Sequence, residues 1–209
     1  MITPGEQQKR KNYREAKSRV EYGAPDAKRF YDLAWYYRSG SGVKKDGLEA
    51  YYYFRRAAEM GLAEAQSILG SIYSSDNGIP KNQKKATHWF LKASKQGDMT
   101  AMFNLGTAYK TGTGISQDNI KAVDCFKKAA QEHEAFSDLR ESALYSLGQM
   151  YRSGLGVTES NENAYALWSE AASFDFSPAI DGLKLLKQEM NEQQRANAKN
   201  VSFKSLISK

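Results

Sequence analysis

The chain has 209 residues, of which 41% are hydrophobic, with a formal charge of +6 and a single cysteine. That length suits one ordinary domain or a small repeat array. One cysteine excludes an internal disulfide framework and a multi-cysteine metal knuckle, and no apolar run approaches the ~18 residues of a membrane helix.

Taken in chain order, the start "MITPGEQQKRKNYREAK" is polar and lacks the apolar region of a signal peptide. This predicts a cytoplasmic chain if residue 1 is the native start. Residues 1–24 carry a net +3, and within them 6–22 predict a polar, basic helix that caps the segment beginning at residue 25. Residues 25–183 carry a net −1, and 184–209 carry +4. A dedicated DNA reader is expected to place its basic stripe on the folded face, so the distribution argues against nucleic acid as the partner. Binding of nucleic acid or an acidic surface through the basic flanks stands as an alternative. Steep weakening with added salt would mark it.

From residue 25 the chain repeats. The stretch "YRSGSGV" at 37–43 has relatives in "YSSDNGI" at 73–79, "YKTGTGI" at 109–115 and "YRSGLGV" at 151–157. Each follows a leucine at a fixed offset (Leu33, Leu69, Leu105, Leu147, then a fifth at Leu183), with steps of 36, 36, 42 and 36 residues. Taken alone, Gly40-Ser41-Gly42 followed by two lysines looks like a phosphate-binding loop. Such a loop occurs once per domain and needs a strand before it and a helix after it. A turn between helices recurs once per repeat.

The flanking segments have helical periodicity. Before the turn stand "AQSILGSIY" from Ala65, "AMFNLGTAY" from Ala101 and "ALYSLGQMY" from Ala143. After it come "AYYYFRRAA" from Ala50, "ATHWFLKAS" from Ala86, "AVDCFKKAA" from Ala122 and "AYALWSEAA" from Ala164, each with a broad apolar stripe. Alanines at the ends of the stripe permit close helix approach. Phe54, Phe90, Phe126 and Trp168 at its middle fill the space between helices. Asp46, Asn82, Asp118 and Ser160 stand four residues before the leading alanine, where each is expected to cap the helix N-terminus. Asp46 and Glu49 suggest a capping box. The predicted units are approximately 25–61, 62–97, 98–137 and 138–175, with a half repeat from 177 that has no second helix. There Ser177-Pro178 reads as N-cap and N1. Residues 184–209 are expected to hold the end of that helix and a basic, flexible tail.

The pattern Ala-x3-Leu-Gly-x2-Tyr-x2-Gly-x-Gly-Val/Ile, then a capped helix ending Lys/Arg-Ala-Ala, resembles the Sel-one-like repeat, a relative of the tetratricopeptide repeat. The third repeat, Ala101 to Ala130, fits almost throughout. The first has Arg29 for the leading alanine and Ala34 for the glycine, and the fourth has Glu170 where a basic residue is usual. The resemblance implies an all-α fold: a right-handed α/α superhelix (solenoid) of about four helix–turn–helix repeats with capping helices. It implies a noncatalytic adaptor or regulator that binds another protein in the concave groove lined by the first helices. An immunity-type protein that sequesters a cognate bacterial toxin or enzyme is a sharper variant, by analogy.

The frame of such arrays places the residues two before, and two, five and six after, the repeat leucine on the groove. These are Tyr31, Trp35, Arg38 and Ser39; Ser67, Ser71, Ser74 and Ser75; Phe103, Thr107, Lys110 and Thr111; and Tyr145, Gln149, Arg152 and Ser153. Aromatics at three levels and cations at three of four predict an extended or helical partner segment with acidic and apolar side chains. Secondary interaction candidates are Phe136 and Leu139, in the six-residue excess before Ala143, and Phe203 in the tail. That excess is expected to lengthen a helix. No cofactor and no metal are expected. His88 and His133 lack histidine partners at ligand spacing, and Cys125 shares its repeat position with Tyr53, Trp89 and Leu167, which reads as core packing.

Overall fold

The computed structural model describes residues 2–131 and 138–208. Among these residues the regular structure is helical, with no strand. Two compact units divide at Asp98 and Met99.

The first unit begins with α1 (Pro4–Tyr22), started by Thr3, whose hydroxyl accepts from the Glu6 N–H. It continues with α2 (Ala27–Ser39), α3 (Gly47–Glu59), α4 (Ala63–Ser74) and α5 (Gln83–Ser94), each packed on the one before. The second unit repeats the pattern with α6 (Met99–Thr111), α7 (Asn119–Ala130), α8 (Asp138–Arg152), α9 (Asn161–Ala172) and α10 (Ser177–Glu189). It ends with α11 (Glu192–Asn200) and α12 (Phe203–Ile207). Serial pairing of neighbouring helices within each unit is the packing of a solenoid.

The helix–turn–helix corner is the same device four times. Asp46, Asn82, Asp118 and Ser160 each accept, through the side chain, backbone N–H groups of the first turn of α3, α5, α7 and α9. The N–H of each cap residue also donates to the carbonyl of the corner tyrosine. These closures are Asp46 to Tyr37 (3.0 Å), Asn82 to Tyr73 (2.8 Å), Asp118 to Tyr109 (2.9 Å) and Ser160 to Tyr151 (2.9 Å). The conformation of the loop is thereby fixed by the protein's own backbone, which leaves the Gly-Ser-Gly stretch a structural role.

The Leu-Gly pair has a packing cause. A Cβ at Gly70, Gly106 or Gly148 would fall within 3 Å of the Phe90, Phe126 or Trp168 ring. The missing side chain lets the aromatic of the second helix lie directly on the first. Phe54, Phe126 and Trp168 are almost wholly buried, and burial of such a side chain stabilises by about 1.5–3 kcal/mol.

Three expectations need correction. Asp46 and Glu49 form a one-sided cap: Asp46 accepts from the Leu48 (2.9 Å) and Glu49 (3.1 Å) N–H groups. The reciprocal capping box lies instead at Asn191 and Gln194, which open α11. The N-cap of α10 is Phe176, so Ser177 and Pro178 are both already helical. The half repeat from 177 is followed by α11 and α12, which pack on α9 and α7. Ala198 and Ile207 are buried there, and Gln131 donates to the Ile207 carbonyl. Apolar side chains spaced along a short amphipathic segment gain more by covering these second helices than by remaining in water.

Part of the inserted segment does lengthen a helix. α8 starts five residues before Ala143, whereas α6 starts two before Ala101. Phe136 and His133 lie outside the described residues. Within the insertion, Arg140 Nη2 lies 2.8 Å from Glu170 Oε1, and its guanidinium sits over the Phe174 and Phe203 rings at 5.2 and 5.6 Å. The unusual Glu170 of the fourth repeat is thus matched by a basic residue that the insertion supplies.

Candidate functional site

Two depressions lie on the face that the first helices present, one in each unit. They share a construction. Consecutive first helices form the walls, and the aromatic of the intervening second helix forms the floor.

In the first unit, α2 and α4 stand either side of α3. Trp35, Arg38, Ile68 and Ile72 line the walls over Phe54, around a cavity of ≈ 610 Å³. Trp35 is 40% exposed and meets Phe54 edge-on at 5.7 Å. The Arg38 guanidinium lies 4.8 Å over the Trp35 ring. Tyr31 packs on Trp35 and Phe54 behind this wall and carries Lys28 over its own ring at 4.4 Å.

In the second unit, α8 and α10 stand either side of α9. Tyr145, Gln149, Arg152 and Leu185 surround a cavity of ≈ 680 Å³ above Trp168, and Lys110 of α6 reaches it. Tyr145 stacks on Trp168 at 5.5 Å, and the indole N–H donates to the Tyr145 carbonyl at 3.0 Å. Lys110 Nζ donates to Gln149 Oε1 at 3.0 Å, and burial holds its ammonium below the usual lysine range. Arg152 Nη2 reaches both oxygens of Glu189, at 2.7 and 2.8 Å.

The aromatic, cationic and serine residues expected on the groove therefore differ in setting. Trp35 and Arg38 come together in one depression, and Lys110, Tyr145, Gln149 and Arg152 in the other. Tyr31 and Phe103 are half-buried supports, with Phe103 packed against Phe126 at 5.7 Å. Ser67 is buried, so the serine-lined second repeat is less open than its composition suggests. Leu139 is half-buried on α8, and Phe203 packs against the core of its own unit. Lys45, which the frame omitted, lines the first depression. Its signal was available in the sequence, since it stands one residue before the cap Asp46 in a corner whose other counterparts are Lys81, Gln117 and Glu159.

Cys125 is a buried free cysteine, and burial pushes its thiol up to about 11. A raised pKa in the folded state means that its contribution to stability is intact below the ordinary thiol value near 9 and is lost as the pH rises through about 11. A thiol-specific disulfide reagent at pH 8 is expected to label the native chain far more slowly than the urea-unfolded chain. Equal rates would contradict this burial. No helix among the described residues is long and apolar enough to cross a membrane.

A model of the Sel1 repeat matches residues 31–62, 63–98, 100–133 and 141–173. The chain belongs to the Sel1 repeat family. Its fold is accordingly the all-α solenoid of Sel1 repeats, here four in number, and Sel1 repeat proteins are in the main interaction scaffolds for other proteins. Similar solved structures agree. A protective antigen present in uropathogenic Escherichia coli strains, which displays an SLR fold, is 27% identical with a TM-score of 0.74 over 94% of this chain. This chain spans only 45% of that protein's length. A Sel1 repeat protein from Oxalobacter formigenes is 25% identical with a TM-score of 0.70, covering 85% of this chain and 72% of its own. No curated protein matches the sequence.

Proposed function

We propose that this Sel1 array is a noncatalytic protein-interaction module whose first-helix depressions take side chains from a partner protein segment that is both acidic and apolar. The observation that carries the reading is the repeated construction of the two depressions. An aromatic floor and apolar walls are rimmed by Arg38 in one unit and by Lys110 and Arg152 in the other. Buried aromatic and arginine anchors carry most of the energy in protein interfaces. Both depressions are open clefts at the surface, a shape suited to side chains projecting from a chain.

The immobilised chain and a variant with Arg38, Lys110 and Arg152 all replaced by glutamate are compared for quantitative capture from source-cell extract. Proteins retained by the wild type are expected to be lost from the variant while both melt alike. An unchanged captured set from a folded variant overturns the proposal.

A further inference from the structure

The two depressions differ in charge, and this difference points to a division of labour. In the second unit the rim is already satisfied. Arg152 is ion-paired with Glu189, Lys110 is bonded to Gln149, and the lining Asp181 is itself paired with Lys184 at 3.3 Å. In the first unit, Arg38 and Lys45 line the depression with no Asp or Glu among the described lining residues. The Arg38 guanidinium lies over the Trp35 ring and forms no ion pair among the described residues, nor does Lys45. A guanidinium can rest on an aromatic ring and still present its N–H donors to a carboxylate.

The repeat explains why the cations coincide here. The positions of Arg38 and Lys45 correspond to Ser74 and Lys81, to Lys110 and Gln117, and to Arg152 and Glu159. In the first, third and fourth repeats the corner brings the second member of the pair beside the first glycine. A Cβ at Gly40, Gly112 or Gly154 would lie 3.3, 3.4 and 3.4 Å from the Cβ of Lys45, Gln117 and Glu159. Only the first corner therefore carries a cation at both positions. Ile68, Ile72 and Ile79 form an apolar wall in the same depression.

We infer that the α2–α4 depression is the carboxylate-reading site of the chain. It takes a protein segment in which an Asp or Glu stands beside a large apolar side chain. The carboxylate meets Arg38 and Lys45, and the apolar side chain enters against Trp35 and the isoleucines. The α8–α10 depression, neutralised from within, takes an uncharged portion of a segment. This assignment rests on the peptide-binding reading above and names which pocket supplies its charge selectivity.

The test uses random peptides displayed on phage and selected on the full chain, followed by titration of the recovered peptides by fluorescence anisotropy. Recovered sequences are expected to pair an acidic residue with a neighbouring Leu, Ile, Phe or Met. Changing that acidic residue to its amide should weaken binding roughly tenfold or more, since it removes a charge-assisted bond. The double variant R38Q/K45Q should lose the same factor and should no longer distinguish acid from amide. The double variant R152Q/E189Q should keep the discrimination. Peptides that bind R38Q/K45Q undiminished, or that tolerate the acid-to-amide change, overturn the pocket assignment while leaving the chain a peptide binder. Recovery of no binding peptide at all overturns both.

Discussion

Replacing Trp168 by alanine is expected to destabilise the second unit by about 3–5 kcal/mol, the range for deletion of a large buried aromatic. The ring is 2% exposed and fills a slot that two glycines create. A Cβ on Gly148 of α8 would lie 2.3 Å from the indole nitrogen, and one on Gly182 of α10 would lie 3.0 Å from the far edge of the ring. With no side chain on either glycine, α8 and α10 have nothing to close over the space that alanine leaves. The loss then includes a cavity term as well as the transfer term. Trp168→Phe separates the contributions. Phenylalanine is the natural residue at this position in the other repeats (Phe54, Phe90, Phe126). It should lose the bond to the Tyr145 carbonyl, worth about 1 kcal/mol, plus a smaller cavity. Urea unfolding followed by circular dichroism gives both values. A Trp168→Ala variant as stable as the wild type would show that this floor is not packed as described.

The repeat made most of the fold legible. Each corner repeats the same cap, tyrosine and glycine, so four instances support one local reading, and recurrence alone sets a phosphate loop aside. Legibility ended where partners are remote in sequence. Glu189 neutralises Arg152 from a helix 37 residues ahead, and nothing in the spacing of either residue announces it. Ser67 belongs to the groove by its offset from the repeat leucine, but helix packing closes over it. The tail looked unstructured because its apolar residues are few and flanked by polar ones. Ile207 nevertheless finds cover on α7 and α9, elements that no terminal pattern identifies. Lys45 was missed for another reason. The frame runs from the repeat leucine only as far as the end of the first helix, whereas the corner itself brings a loop residue to the rim.

Gly156→Ala is expected to cost roughly 2–5 kcal/mol, and Gly78→Ala only about 1–2, although the two occupy the same repeat position. Both have positive φ, 74° and 89°, so either alanine is strained by about 1–2 kcal/mol in the left-handed region. Their surroundings decide the rest. A Cβ on Gly78 meets nothing within 4 Å, because its corner leaves α4 through an extended Ser75 with Asp76 in place of the first glycine. A Cβ on Gly156 would lie 2.4 Å from the Asn119 carbonyl oxygen and 2.5 Å from its carbon. These are backbone atoms at the start of α7, held by the Asp118 cap, and they cannot rotate aside as a side chain would. The α8–α9 corner must back away from α7, and overpacking of this kind adds about 1–3 kcal/mol. Gly42 makes the same approach to Lys9 of α1, 2.3 Å from its carbonyl oxygen. α1 therefore stands where the second helix of a preceding repeat would stand, and Gly42→Ala should raise hydrogen exchange along α1 selectively. Equal destabilisation by Gly156→Ala and Gly78→Ala in urea titrations would mean that only backbone conformation, and not contact between corner and neighbouring helix, selects glycine at this position.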